Sequence, residues 1–78
     1  MGGAPLSGPA LIGHQVQVCR TRGRMTRRDL SEATGIPYST LGKFETGISE
    51  PKASQLVCIA KALGVEVSEL VEGVYMNH

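Results

Sequence analysis

A single glycine, Gly35, sits between two short apolar-periodic segments in the run RRDLSEATGIPYSTLGKFETG, Arg27 to Gly47, and constrains this chain more than any other residue. Leu30 and Thr34 fall four apart on one helical face. Gly35 can take the left-handed backbone that ends that helix, and Ile36 follows as a plug beneath the corner. Leu41 and Phe44 then resume an inward stripe three apart, on a second helix beginning at Pro37. Proline suits that first turn, because its missing N–H has no intrahelical partner there and its φ is already helical. The run therefore predicts two short helices held in a fixed crossing.

At 78 residues the chain has room for one domain, burying roughly 60% of the surface its unfolded form exposes. A helical bundle is the economical solution, since short helices share a small core without long-range strand pairing. The rest of the pattern agrees. From Ala10 to about Arg22, Leu11, Ile12, Val16 and Cys19 follow three- and four-residue steps, the mark of a first amphipathic helix that Gly23 breaks. Thr26 with Asp29 three residues on is a capping-box-like start for a second helix over Arg27 to Thr34, Asp standing in for the usual Glu. The third helix runs to about Thr46 and is stopped by Gly47. After an Ile48–Pro51 loop, Lys52 or Ala53 opens a fourth helix whose stripe is Leu56, Ile59, Ala60 and Leu63, ending at Gly64. Val67 to Glu72 form a short fifth. The expectation is an all-α, five-helix domain over residues 10–73, with a Gly/Pro-rich flexible arm over 1–9 and a short apolar tail over 74–78. There is no internal repeat.

Net charge of +1 conceals an asymmetry. Residues 1–43 carry six basic side chains against two acidic ones, a net of +4, while residues 44–78 carry two against five, a net of −3. A basic face attracts phosphate and an acidic remainder resists non-specific association. The N-terminal arm has no charged side chain and so little electrostatic means of clamping a polyanion. Cys19 and Cys58, the two cysteines, lie in apolar periodic segments and read as buried small hydrophobes in a reducing cytosol in preference to a disulfide. No CxxC or HxxxH spacing exists, so His14 and His78 form no zinc set and no metal is expected. Nothing resembles a signal peptide or a membrane span, which places the chain in the cytoplasm as a soluble protein.

Thr26, Leu30, small Ser31, Gly35, Ile36, Leu41, Phe44, Glu45, Gly47, Pro51 and the run IAKALGVEVSEL at Ile59 to Leu70 stand at fixed mutual spacing. On these residues the chain resembles the lambda-repressor-like (Cro/C1, XRE-type) helix-turn-helix family over roughly Ile12 to Val71. The resemblance implies a bacterial or phage-type transcriptional regulator whose third helix lies in the major groove of double-stranded DNA. It places Tyr38, Ser39, Thr40 and Lys43 at base edges. Hydroxyls can serve several bases, Lys43 can donate to guanine O6 and N7, and Tyr38 can meet a thymine methyl or a phosphate. It places Arg27, where relatives often carry glutamine, against phosphate, with Arg28 and Arg22 nearby and Thr46, Ser49 and Lys52 around the loop after the third helix. It implies a structural ion pair between Arg20 and Glu45. Two positions depart from the pattern: Arg24 stands where relatives more often have glycine, and Gly42 interrupts the third helix. Gly42 either admits the sugar-phosphate backbone closely or is simply tolerated.

The resemblance implies repressor-type action, and a homodimer on a palindromic site is expected because one small domain makes few contacts for tight specific binding. The apolar Val71, Val74, Tyr75 and Met76 are the dimer candidates, unless they only cover their own core. A second reading is an antitoxin-like or other protein-interaction module, for which the acidic second half and apolar tail are suited. An enzyme is disfavoured, and no cofactor or small-molecule site is expected, since no carboxylate cluster, His pair or phosphate-binding glycine loop is available to surround a substrate.

Overall fold

The computed structural model describes residues 8–71. Five helices follow one another: α1 Gly8–Arg22, α2 Arg27–Thr34, α3 Tyr38–Glu45, α4 Ala53–Leu63 and α5 Val67–Leu70. No strand occurs among the described residues. The first helix begins two residues ahead of the expected Ala10. Pro37 is the N-cap of α3 in place of its first helical residue, and α5 stops at Leu70.

The helix ends follow local chemistry. Asp29 N–H donates to Thr26 Oγ1, and Thr26 N–H donates to Asp29 Oδ2, both at 3.0 Å, so Asp completes the capping box at the start of α2. At its other end Gly35 has φ 76° and ψ 4°, and its N–H donates to the Ser31 carbonyl at 2.8 Å. A side chain at position 35 would meet nothing within 4 Å. The glycine is needed for its backbone sign and not for space. Two hydroxyls pin the corner beyond it: Ser31 Oγ donates to the Ile36 carbonyl at 2.6 Å, and Thr34 Oγ1 accepts from Ile36 N–H at 3.1 Å. Small Ser31 is thus part of the turn. Schellman-type hydrogen bonds close α3 at Gly47 and α4 at Gly64.

One core unites the elements. Ile12, Val16 and Cys19 of α1, Leu30 of α2, Leu41 and Phe44 of α3, Ile59 and Ala60 of α4 and Leu70 of α5 are buried together with Ile36 of the corner. Leu56 and Leu63, expected as full members of the α4 stripe, are partly buried at its margin. Cys58 is exposed, correcting its reading as a core residue, because α4 turns Ile59 and Ala60 inward and leaves the adjoining Val57 and Cys58 outside. Val71 packs against this core in its own chain, which takes it out of a free apolar tail. Val74, Tyr75 and Met76 lie outside the described residues.

The α1–α3 crossing depends on Gly13. A Cβ built there would fall on the Phe44 carbonyl oxygen and within 2.9 Å of Glu45 backbone atoms. Those are helix backbone atoms that cannot swing aside, so Gly13 sets how closely the two helices approach. Gly13→Ala is expected to destabilise the domain by about 1–3 kcal/mol in urea unfolding, with α1 displaced from α3. Thr26, through its N–H and then its hydroxyl, holds the Asp29 carboxyl below its ordinary value of 3.8. A depressed carboxylate stabilises above the unfolded-state value and loses that contribution as pH falls through the folded-state value. Asp29→Ala should therefore lower the urea midpoint near neutral pH and flatten its decline between about pH 5 and 2.

Candidate nucleic-acid interface

The surface that α3 offers to solvent is set by what it buries. Leu41, Phe44 and Glu45 face the core, and Tyr38, Ser39 and Lys43 are exposed, with Tyr38 at 51%. Thr40 is half-buried on one flank of that surface and Gly42 is half-buried at the other. Of the four residues expected to read bases, Tyr38 and Ser39 are exposed in the first turn of α3 and Lys43 in its last, and Thr40 is partly covered.

Beneath this helix lies a three-residue charged cluster. The Glu45 side chain is 1% exposed, and Arg20 grips it in a fork: Nε donates to Oε2 at 2.8 Å and Nη2 to Oε1 at 3.1 Å. The remaining Arg20 nitrogen, Nη1, donates to the Met25 carbonyl at 2.9 Å. Arg27 adds a second cation, with Nη2 on Glu45 Oε1 at 3.1 Å and its guanidinium 5.5 Å from the Tyr38 ring centroid. A bidentate arginine–carboxylate pair combines strength with fixed geometry. The cluster ties α1 and α2 to the last residue of α3, so the recognition surface cannot rotate without breaking it.

This changes the part assigned to Arg27. Its guanidinium is held within the protein on Glu45, and its Nε is buried without a hydrogen-bond partner. The side chain as a whole is 29% exposed. Sequence spacing gave no sign of this contact, because Arg27 and Glu45 are eighteen residues apart on different helices.

The other basic candidates separate into two groups. Arg22 turns from the expected phosphate face: its Nη2 lies 3.5 Å from Cys19 Sγ and 4.0 Å from Glu69 Oε1 of α5. Arg24 takes up the position near the front instead, lining a shallow recess with Arg20, Thr21, Thr26, Arg27 and Tyr38. Its backbone has φ 58°, the left-handed region that a bulky residue adopts at a cost of roughly 1–2 kcal/mol. That backbone sign is one a glycine adopts without cost, in keeping with the glycine that the family resemblance implies at this position. Arg28 and Lys52 are exposed and Ser49 is half-buried. The Thr46 hydroxyl donates to the Gly42 carbonyl at 2.9 Å, which commits the proton it would need to bond a phosphate oxygen.

Among the described residues no group of His, Cys, Asp and Glu is placed to hold a metal, and no helix is long and apolar enough to cross a membrane.

Two short helices crossed at a left-handed glycine, braced by a third helix behind them, define a helix-turn-helix unit. Residues 17–70 match the family model described as Helix-turn-helix, and the chain belongs to that lambda-repressor-like, XRE-type family. It is 34% identical over 56 residues to an uncharacterized HTH-type transcriptional regulator of Sinorhizobium fredii, covering 72% of this chain and 29% of the relative. It is 29% identical over 62 residues to the HTH-type transcriptional activator BcrR of Enterococcus faecalis, covering 80% of this chain and 30% of that protein. The chain thus spans less than half the length of these curated relatives. Its fold is that of the clp gene regulator ClgR from C. glutamicum, with TM-score 0.81 and 24% identity over 96% of this chain and 100% of that one. The P22 c2 repressor bound to a synthetic operator superposes with TM-score 0.75 and 22% identity, covering 81% and 96%. The restriction-modification controller protein C.AhdI from Aeromonas hydrophila superposes with TM-score 0.76 and 24% identity, covering 78% and 92%.

Replacing Glu45 by alanine strands two arginines against a low-dielectric wall, whereas replacing Arg27 leaves Glu45 still gripped by Arg20. Urea unfolding should show Glu45→Ala costing about 3–5 kcal/mol, Arg20→Ala somewhat less, and Arg27→Ala the least of the three.

Proposed function

We propose that this chain is a sequence-specific DNA-binding transcriptional regulator that places α3 in the major groove. The observation that carries the reading is the disposition of α3: its core side chains and the Glu45 cluster fix its orientation, leaving Tyr38, Ser39 and Lys43 projecting together from its outer side. An α-helix fits the major groove, and hydroxyl, phenol and ammonium groups on it suffice to sense base edges. Arg24 and Arg28, before and at the start of α2, supply phosphate contacts beside the groove, with Lys52 and Ser49 serving the strand beyond α3. Family membership and the P22 c2 repressor's operator complex support the same partner.

The small contact area of one such domain favours a homodimer on a palindromic operator, half-sites about one helical turn apart. Repressor-type action, by occupancy of an operator that overlaps a promoter, belongs to the same proposal. With short hydroxyls and one lysine on the reading side, much of the site preference rests on phosphate geometry and DNA shape.

Selection of bound duplexes from a random pool tests this directly. One motif should emerge, with affinity falling steeply as salt rises in proportion to the phosphates neutralised. Alanine at both Tyr38 and Lys43 should erase the difference between that motif and random DNA while leaving most of the salt dependence. Enrichment of no sequence, or retention on duplex DNA indifferent to salt, would move the chain to the protein-interaction class.

A further inference from the structure

Arg27 touches three things that a simple phosphate contact does not need. Its Nη2 donates to buried Glu45, a carboxylate already gripped by both nitrogens of the Arg20 fork. Its guanidinium lies 5.5 Å from the centroid of Tyr38, the first residue of α3. A Cβ at position 42 would stand 3.2 Å from its Nη1 and 3.7 Å from its Cζ. Glycine within a helix is unfavourable, and at position 42 its bare Cα is where the guanidinium lies. Tyr38 and Gly42 are four apart on α3 and so are neighbours on one side of that helix. Arg27 lies against both.

We propose that Arg27 is a positioning residue for Tyr38: held on Glu45 and seated on Gly42, it fixes the direction in which the Tyr38 ring leaves α3. Arg27 and Gly42 are then determinants of base preference at the position Tyr38 senses, though neither touches the base. This rests on the DNA-reading role of α3. A tyrosine at a helix start that is half exposed has free rotamers; a planar cation on its ring selects among them. Arginine is required because lysine is a point charge without a plane to lay on the ring or a fork to share with the carboxylate. A Cβ at position 42 would crowd Nη1, so the guanidinium must shift by a few tenths of an ångström from its seat beside the ring.

The test compares wild type with Y38A, R27K, R27A and G42A on the duplex selected with the wild-type protein and on its single-base variants, across a range of salt. Y38A identifies the base pair whose preference depends on the tyrosine. Arg27→Lys keeps the charge, so its salt slope should be unchanged while preference at that base pair falls about tenfold. Gly42→Ala should lose preference at the same base pair, with helicity retained by circular dichroism. In the free wild-type protein the Arg27 side-chain protons should be shifted upfield by the Tyr38 ring, a signature lost in Y38A and reduced in G42A. The proposal is overturned if R27K and G42A keep the preference, with R27A merely weakening every sequence equally and reducing the salt slope by about one. It is overturned too if the Arg27 protons are unmoved by removal of the ring. If the wild type selects no duplex, the DNA reading itself falls and this inference falls with it.

Discussion

Glu45 is the point on which the arrangement turns. It is the last residue of α3, its side chain is almost wholly removed from solvent, and its two oxygens accept three hydrogen bonds from arginines on α1 and α2. A lone carboxylate in that place would be strongly disfavoured, and the two arginines without it would repel one another. Each helix of the front therefore needs the other two. The consequence is mechanical: the end of α3 is tied to the elements behind it, and the exposed residues of α3 inherit their direction from a buried charge.

The apolar contacts supply cohesion but less direction. Burying residues such as Ile12, Leu30, Leu41, Ile59 and Leu70 gives on the order of 1.5–3 kcal/mol each, without naming one crossing angle. Angle comes from two glycines that act in different ways. Gly35 acts through its left-handed backbone, which turns the chain from α2 towards α3. Gly13 acts through the missing side chain, which lets α1 come up against the Phe44 carbonyl. The fork on Glu45 then locks the approach that these glycines permit.

Much of this was legible in the chain itself. The periodicity of Leu30, Leu41, Phe44, Ile59 and Leu70 marks the core, and the caps at Thr26 with Asp29, Gly35, Gly47 and Gly64 mark helix ends, because these depend on residues a few positions apart. Helix α1 starts at Gly8, ahead of the Ala10 that periodicity indicates, because Gly8 and Pro9 have the composition of a loop while Pro is admitted in a first helical turn. The Arg27–Glu45 contact, the turning of Arg22 to Glu69 and the seat at Gly42 were not legible. Each joins residues on separate helices, and long flexible side chains reach partners that sequence spacing does not specify.

The sequence by itself determined the number of helices, the glycine corner, the family pattern and which side of α3 is apolar, all consequences of local dihedral preference and of period-3.6 burial. Only the tertiary structure decided which cations serve the fold and which remain for a partner. Arg20 and Arg27 are drawn to a carboxylate that folding has buried between α1, α2 and α3, while Arg24 and Arg28 have no such partner among the hydrogen bonds and ion pairs described. The reason is that an arginine's role depends on the dielectric and geometry around its tip, and those exist only once the helices have packed.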